Sequence, residues 1–306
     1  MSTEQISTAS GRFLIEDGVL KGSLWHLGSL TLPPGTRAVG SGAFYRDKDI
    51  LSLSCPDSLE EIGENAFSGC SALETVHIGN GLRKIGDSAF ETSSLKCIDL
   101  PGTLEEIGQN AFAYCELQKV YIPDSVRKLG DGAFSGCRSL TKVRLPHSLQ
   151  KLPDRSFSGC ASLQRIWLPE SVSEIGESAF ANCGLKALPF SKSIQKLHHH
   201  AFYGCGQITK ITIPRGVEII PAFCFGPFQS PVTEVLIPDT VKRIEKGAFL
   251  ALGCPVYIPD SVESIDREAF YRAKVGFEVS LPKHLILELD KNLSKVFIRQ
   301  SPSSSA

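Results

Sequence analysis

The sequence predicts a solenoid of short coils whose β-strands stack into a parallel sheet. Two observations point to this fold class. A strand motif of the form Leu-x-x-Val-x-Ile-Pro returns along the chain, and an Ala-Phe pair or its equivalent follows at a fixed distance. The spacing of the phenylalanines in that pair is nearly constant and is typical of repeat architectures. They stand at Phe44, Phe67, Phe90, Phe112, Phe134, Phe157, Phe180 and Phe202, and the pattern returns at Phe249 and Phe270.

The strand motif gives the number of coils. Its third apolar residue is found at Leu32, Cys55, Ile78, Leu100, Ile122, Leu145, Leu168, Phe190, Ile213, Ile237, Ile258, Leu281 and Ile298. Most of these positions are separated by roughly 22 to 24 residues, which lies within the range of leucine-rich and similar repeats. We therefore expect 12 to 13 coils. One coil cannot bury its own apolar face, and its neighbours must stack on it to form one continuous sheet.

Each part of a coil has a physical reason. The Val-x-Ile alternation of residues 117–123 predicts a short strand with one buried face. The proline that follows cannot donate to a strand ladder and ends the strand. The Ser-Val-x-x-Ile-Gly segment, as in residues 171–176, crosses back through a tight bend that glycine permits. We expect the sheet on the concave face and turns, 3-10 segments or short strands on the convex side.

The ends depart from the repeat, as capping units do. The segment from Phe13 to Leu20 contains Asp17-Gly18, which predicts a β-hairpin over the first coil. We expect an N-terminal tail and capping hairpin over residues 1–26, the solenoid over 27–298 and a flexible tail over 299–306. The strand motif of residues 293–298 lacks an Ala-Phe pair and is predicted to close the far end.

One internal segment is also irregular. Residues 221–227 replace the usual Gly-x-x-Ala-Phe with Pro-Ala-Phe-Cys-Phe-Gly-Pro. This replacement predicts a bulged or longer convex loop between Phe202 and Phe249.

The complete repeat resembles the BspA-like, or treponemal-type, leucine-rich repeat. The residues that carry the resemblance are Leu-x-x-Val-x-Ile-Pro-x-Ser-Val-x-x-Ile-Gly-x-x-Ala-Phe-x-x-Cys, matched nearly position for position by residues 123–137 and 169–183. The resemblance covers roughly residues 27–298 and implies a leucine-rich-repeat solenoid. Proteins with such repeats are often surface or secreted binding and adhesion proteins of host-associated microbes and protists, so it also implies a binding role.

Composition excludes several classes of protein. The formal net charge is −1 and 42% of the residues are hydrophobic, as in a folded chain without a general attraction to nucleic acid or anionic membranes. No apolar run approaches the roughly 18 residues that span a bilayer. Residues 1–22 lack the features of a secretory signal. The sequence as given predicts a cytoplasmic monomer, and a surface or secreted protein if the N-terminus has been trimmed.

The cysteines form a column in the repeat. Six of them stand three residues after a phenylalanine, at Cys70, Cys115, Cys137, Cys160, Cys183 and Cys205. This spacing predicts a ladder of small, buried, reduced side chains with weak S–H donors. No Cys-x-x-Cys pair is present, and the consecutive His198, His199 and His200 should diverge from one turn, so we expect no metal site. No cofactor motif or catalytic motif is found, and the sequence predicts a protein that is not an enzyme.

The repeat register shows which side chains the concave face exposes. They are the two residues that flank the middle apolar position of each strand. In the first coils these residues are small and hydroxylated, whereas the central coils carry basic and aromatic side chains. We predict a binding patch formed by Lys119, Tyr121, Lys142, Arg144, Arg165, Trp167 and Lys210.

This patch favours a protein-protein interaction with an acidic partner, because exposed aromatic residues beside arginine are typical anchors of protein interfaces. The scaffold could serve as an adhesin or as an intracellular adaptor. The alternative is a glycan-binding repeat protein, which the predicted exposure of Tyr121, Trp167 and Tyr257 permits. We do not expect nucleic acid as a partner, since the patch is short and no nucleic-acid motif accompanies it.

Overall fold

A computed structural model describes residues 4–274 and 277–285 and the backbone of residues 297–300. The chain forms a parallel-strand β-solenoid of about 11 turns. Contacts divide it into two compact units, Met1–Leu149 with Arg155–Ile166 (unit 1) and Gln150–Asp154 with Trp167–Ala306 (unit 2). The only helical residues in the described part are 283–285. No helix among the described residues has the length and apolar character needed to cross a membrane.

The N-terminal cap is an antiparallel sheet of β1 (Glu4–Thr8), β2 (Gly11–Glu16) and β3 (Val19–His26). Asp17 and Gly18 connect β2 and β3 with φ angles of 51° and 77°, as a two-residue hairpin with positive φ at both central positions requires. The predicted hairpin is confirmed, and β1 adds a strand that the sequence analysis did not predict. Val19 and Leu20 of β3 then pair in parallel with β5 (Ala38–Val39).

The predicted strand motif forms a first series of parallel strands, called ladder A. In unit 1 its members are β4 (Ser29–Thr31), β6 (Ser52–Ser54), β8 (Thr75–His77), β10 (Cys97–Ile98), β12 (Lys119–Tyr121) and β14 (Lys142–Arg144). In unit 2 they are β18 (Lys210–Thr212), β20 (Glu234–Leu236), β22 (Val256–Tyr257), β24 (Glu278–Leu281) and β25 (Phe297–Gln300).

The returning segment of each coil forms a second series of two-residue parallel strands, called ladder B. In unit 1 it contains β5, β7 (Glu61–Ile62), β9 (Lys84–Ile85), β11 (Glu106–Ile107) and β13 (Lys128–Leu129). In unit 2 it contains β15 (Lys151–Leu152), β16 (Glu174–Ile175), β17 (Lys196–Leu197), β19 (Ile219–Ile220), β21 (Arg243–Ile244) and β23 (Ser264–Ile265).

A stack of buried phenylalanine rings fills the interior of each unit. In unit 1 the rings of Phe44 to Phe157 stack with centroid distances of 5.2 to 5.8 Å. In unit 2 the stack runs from Phe180 to Phe270 and includes Phe225. Phe225, which the sequence analysis left out of the period, is fully buried and supplies the ring of the irregular coil at residues 221–227.

The turns around these rings place residues in the left-handed backbone region. Around Phe134, Gly132 and Gly136 have φ angles of 65° and 72°. Around Phe112, Asn110 and Tyr114 take the same conformation with φ angles of 52° and 59°. Glycine adopts this region without steric cost, yet most coils place another residue at one or both of these positions.

The structure corrects the expected continuous sheet. Residues 163–168 and 185–190 form no strand, although both carry the strand motif. Ladder A is also divided into separate sheets within each unit, β4 to β10 and β12 with β14 in unit 1, and β18 with β20 and β22 to β25 in unit 2. The last coil is also displaced from the predicted register, because Ile298 pairs with Val279 rather than with Leu281. The motifs around Leu281 and Ile298 have no Ala-Phe pair after them, which explains why the full turns are fewer than 12 to 13. The predicted domain boundaries stay predictions, and residues 301–306 of the predicted tail lie outside the described residues.

Candidate functional site

The side chains of β12 and β14 follow the predicted alternation. Val120 is buried, whereas Lys119 and Tyr121 on either side of it are exposed. Lys142 and Arg144 are exposed in the same way on β14. The two strands pair so that Lys119 lies opposite Lys142 and Tyr121 lies opposite Arg144. These four exposed residues form one surface, called the β12–β14 patch.

Two like charges face each other in this patch. Lys119 and Lys142 are direct neighbours on adjacent strands, where like charges repel. In the part of the chain that the structure describes, neither lysine forms an ion pair. Arg165, at the equivalent position of the next coil in unit 1, is also exposed and also lacks an ion pair among the described residues. The strand faces of unit 1 therefore present three cations, Lys119, Lys142 and Arg165, that form no ion pair among the described residues.

Ladder B shows the opposite arrangement. In unit 1, Lys84 lies opposite both Glu61 and Glu106, and Glu106 lies opposite Lys128. The Lys84 Nζ to Glu61 Oε1 distance is 2.8 Å and the Lys128 Nζ to Glu106 Oε1 distance is 2.6 Å. Exposed pairs of this kind contribute little stability each. They nevertheless leave these strands of ladder B neutral, so within unit 1 the unbalanced positive charge is specific to ladder A.

Asp124 neutralises one cation of the patch. Its carboxylate accepts hydrogen bonds from the backbone N–H of His147 at 2.9 Å and from the Arg144 guanidinium at 2.7 Å, and it also contacts the His147 Nδ1 at 2.9 Å. The hydrogen bonds from His147 and then from Arg144 lower the pKa of Asp124 to about 2. Asp124 is therefore ionised at neutral pH and offsets the charge of Arg144. Asp124 follows the proline that ends the strand motif, and its sequence position alone did not indicate this contact with the next coil.

The remaining two predicted residues lie in unit 2. The Trp167 side chain is 77% exposed, the highest value among the exposed large hydrophobic residues that the structure describes. Lys210 lies opposite Glu234 on the neighbouring strand, and its Nζ is 2.7 Å from Glu234 Oε2. Lys210 is therefore neutralised within its own unit. Glu234 stands in the same sequence column as Lys210, one coil later. This position was the sequence signal that could have predicted the ion pair.

The cysteine column forms hydrogen bonds from coil to coil. The thiol of Cys137 donates to the carbonyl oxygen of Phe112 at 3.1 Å, and Cys205 donates to Phe180 at 3.0 Å. Cys70, Cys115 and Cys160 make the same bond to the repeat phenylalanine of the preceding coil. The thiols satisfy buried carbonyl groups between neighbouring coils, and none of the ten cysteines, all of which lie among the described residues, forms a disulfide.

We expect the thiols to differ sharply in reactivity. Burial raises the pKa of Cys115, Cys160 and Cys205 to about 12, which suppresses the reactive thiolate. Cys97 is the one exposed cysteine of the ten. Titration of the native protein with Ellman's reagent should show one fast thiol, which Cys97→Ser removes, and nine that react after denaturation. Fast reaction of several thiols in the Cys97→Ser variant would contradict this prediction.

The three consecutive histidines contact different groups. His198 Nε2 is 3.3 Å from Glu174 Oε2, and His199 Nδ1 is 3.8 Å from Glu245 Oε2. The His200 ring stacks on Phe223 with centroids 5.3 Å apart. Among the described residues, no group of three or more His, Cys, Asp or Glu side chains is arranged to hold a metal ion.

Comparison with known proteins identifies the repeat. A family model described as the BspA type leucine-rich repeat region matches residues 15–141 and 127–254, with six copies of the repeat. A leucine-rich repeat protein from Bacteroides ovatus is 25% identical over 98% of each chain, with a TM-score of 0.59. The leucine-rich repeat protein of T. pallidum is 31% identical, with 58% of this chain and 85% of that chain covered and a TM-score of 0.51.

A leucine-rich cell surface protein from Faecalibacterium prausnitzii has the same fold. It is 22% identical over 99% of this chain and 96% of its own length, with a TM-score of 0.60. No curated protein matches the chain.

Proposed function

Because the chain belongs to the BspA-type leucine-rich-repeat family, we propose that it is a non-enzymatic scaffold that binds an acidic segment of a partner protein through ladder A. Leucine-rich-repeat solenoids are generally binding scaffolds, and protein partners are their usual ligands. The observation that carries the proposal is the uncompensated pair of Lys119 and Lys142 on an exposed strand face. A partner carboxylate at this position removes the repulsion between the two ammonium groups.

The composition of the patch favours a protein over other anionic partners. Tyr121 is 54% exposed beside the two lysines and offers an apolar ring for contact. Tyrosine and arginine are enriched among the residues that dominate protein interfaces. The formal net charge of the whole chain is −1, so attraction of a polyanion is confined to the local patch. An adhesin-like role and an adaptor role both follow from such a surface.

The direct test uses peptides of defined charge. Fluorescence anisotropy would compare a glutamate-rich peptide, a serine-rich peptide of the same length and a heparin fragment, each titrated with salt. We expect the glutamate-rich peptide to bind most tightly and its affinity to fall as ionic strength rises. Salt weakens the attraction between exposed charges, and at 0.1 M it largely screens those more than about 10 Å apart. Equal binding of the acidic and neutral peptides would refute the role of charge, and a clear preference for heparin would point to an acidic glycan.

A gain-of-function variant tests the same surface. Asp124→Asn removes the carboxylate that neutralises Arg144 and leaves the side-chain size nearly unchanged. Since one charge contact in water contributes about 1 kcal/mol, we expect the acidic peptide to bind about fivefold more tightly. Asp57→Asn is the matched control, because Asp57 accepts a backbone N–H from the next coil in the same way, away from β12 and β14. Similar affinities for the two variants would show that Arg144 does not contribute.

Glycan binding is a second candidate, favoured by the exposure of Trp167 in unit 2. Exposed aromatic rings stack on sugar rings as they do on other flat apolar surfaces. Tyr257, also in unit 2, is 49% exposed. A glycan array would separate the two candidates, because binding to uncharged oligosaccharides would favour the glycan and reject the acidic protein segment.

The two tryptophans of the chain provide a matched pair. We expect Trp167→Ala to weaken the binding of a partner protein or glycan by about tenfold without unfolding the chain, because an exposed ring contributes to contact rather than to the core. Trp25→Ala removes the other tryptophan, which is 51% exposed in the N-terminal cap. Isothermal titration calorimetry of both variants would check this, and equal affinities would remove Trp167 from the site.

The cytoplasmic location predicted from the sequence stays a prediction. Fractionation of the source cells with an antibody against the chain would test it. Recovery from the cytoplasm would support an adaptor, and recovery from the cell surface would support an adhesin-like protein.

A further inference from the structure

One coil of unit 2 departs from its own repeat. The turn after each strand motif usually begins with a proline, at Pro123, Pro146, Pro169, Pro214, Pro238 and Pro259. In the coil that starts at Leu185, Ser191 stands in this place, and Pro189 lies within the strand motif instead. Because proline has no N–H to donate, a strand with Pro189 in it cannot complete the ladder. In the described residues, β18 therefore pairs with β20 and has no partner on its other edge.

A groove of about 670 Å³ lies between this coil and the coil of β18. Its size is within the range of small-ligand sites, about 300–1,000 Å³. Leu188, Phe190, Ile213 and Pro214 give it an apolar lining. The half-buried Phe190 ring meets the buried Phe202 ring edge-on, with centroids 5.4 Å apart at 90°. The groove is thus anchored in the phenylalanine stack of unit 2 and has a defined apolar wall.

The charged residues along the groove are all basic. Lys192, Lys210 and Arg215 line it, and no acidic side chain does. Lys210 and Arg215 have carboxylate partners from the next coil, Glu234 at 2.7 Å and Asp239 at 3.2 Å. Lys192 is exposed and forms no ion pair among the described residues. An anionic group in the groove would therefore meet one free ammonium group and no opposing carboxylate.

Ser191 adds a second polar feature. Its Oγ is buried and is the one buried side-chain oxygen or nitrogen of the described residues for which no hydrogen-bond partner is found. The turn itself does not need the hydroxyl. The backbone carbonyl of Ser191 accepts the Ile194 N–H at 3.5 Å, just as the backbone carbonyl of Pro169 accepts the Val172 N–H at 3.0 Å. A buried hydroxyl without a partner is unfavourable, and a ligand oxygen beside Ser191 would satisfy it.

We propose that this groove binds a small apolar carboxylate, with the hydrocarbon part against Leu188, Phe190 and Ile213. The carboxylate accepts a hydrogen bond from the Ser191 hydroxyl and pairs with the Lys192 ammonium group. A neutral apolar molecule of the same length would make only the contacts with the apolar wall and would bind more weakly. This site lies within unit 2 and is independent of the acidic-peptide surface at β12 and β14.

The test uses 1-anilinonaphthalene-8-sulfonate, an apolar anion whose fluorescence rises on binding, as a probe for the full-length chain. Octanoate and octan-1-ol then compete with it as a matched pair that differs in the charged group. We expect octanoate to displace the probe at a concentration about tenfold lower than octan-1-ol, because its carboxylate gains a charge-assisted hydrogen bond and an ion pair. Equal displacement by both, or no binding of the probe, would overturn the proposal.

Two variants assign the contacts. Lys192→Glu should weaken octanoate binding about tenfold and leave octan-1-ol unchanged, because it reverses the unpaired charge. Ser191→Pro restores the residue that the other coils carry in this turn, and it should also weaken octanoate binding while preserving the fold by circular dichroism. The control is Lys186→Glu, an exposed lysine of the same coil that does not line the groove. If the control lowers octanoate binding as much as Lys192→Glu does, the effect is general electrostatics and the site is wrong.

Discussion

Replacement of Phe112 by alanine is expected to lower the free energy of unfolding by about 3–5 kcal/mol. Phe112 is fully buried, and its ring lies between those of Phe90 and Phe134 with centroid distances of 5.5 and 5.4 Å. The substitution removes the transfer free energy of the ring and leaves a cavity within the stack. The neighbouring coils cannot close this cavity, because the Phe112 N–H donates to the Ala133 carbonyl oxygen at 2.9 Å and its own carbonyl oxygen accepts the Cys137 thiol.

Urea denaturation followed by circular dichroism and by tryptophan fluorescence would measure this loss. Tyr114→Ala is the control, because it removes a ring that is 58% exposed two residues later, and surface substitutions usually change stability by less than about 0.5 kcal/mol. Phe112→Leu keeps most of the side-chain volume, and its free energy of unfolding should lie between those of the Phe112→Ala and Tyr114→Ala variants. A Phe112→Ala variant as stable as the Tyr114→Ala variant would show that the phenylalanine stack does not hold the coils together.

The second large effect concerns binding. The double variant Lys119→Glu/Lys142→Glu is expected to weaken binding of the glutamate-rich peptide about a thousandfold. Each exchange replaces an attraction of about 1 kcal/mol with a repulsion of similar size, which amounts to about 4 kcal/mol for the two positions. The fold should tolerate the change. The two positions carry like charges before and after the exchange, so the repulsion across β12 and β14 is the same in both proteins. Fluorescence anisotropy at low and high salt would measure the loss and show that it is electrostatic.

Two further variants separate binding from stability. Lys142→Glu alone places a carboxylate opposite Lys119, and it should raise stability by a few tenths of a kcal/mol while it lowers affinity. Lys48→Glu/Arg138→Glu exchanges two exposed cations of unit 1 outside ladder A. Each double variant lowers the formal net charge by the same amount, because two cations become two anions in both. Equal loss of affinity in both would therefore assign the effect to overall charge.

Much of the fold could be predicted because the repeat encodes it locally. The spacing of the phenylalanines predicted the period of the coils, and Asp17-Gly18 predicted the turn between β2 and β3. The apolar Val120 in the middle of β12 indicated that its own side chain is buried and that its two neighbours are exposed, since alternate residues of a strand face opposite sides. The irregular coil was harder. Its Ala222-Phe223 pair matches the Ala-Phe of the repeat in sequence. In the structure, however, Phe225 fills the core, and the half-buried Phe223 stacks on His200.

The candidate site was predicted only in part. The exposure of Lys119, Tyr121, Lys142 and Arg144 followed from the register of their strands. The sequence carried one signal for the groove beside Ser191, namely that serine stands where most other coils have proline. It was missed because a single exchange does not show whether the new hydroxyl finds a partner.

The sequence by itself determined the coil, its period, its buried rings and the column to which each strand residue belongs. These properties depend on neighbours a few residues away and on alternation along one strand. Only the tertiary structure decided which charges remain available. Asp124 of the preceding coil neutralises Arg144, and Glu234 of the following coil neutralises Lys210, whereas Lys119 and Lys142 face each other. The reason is physical: stacking brings together side chains from successive coils, and the side-chain conformations within the stack determine which opposite charges meet.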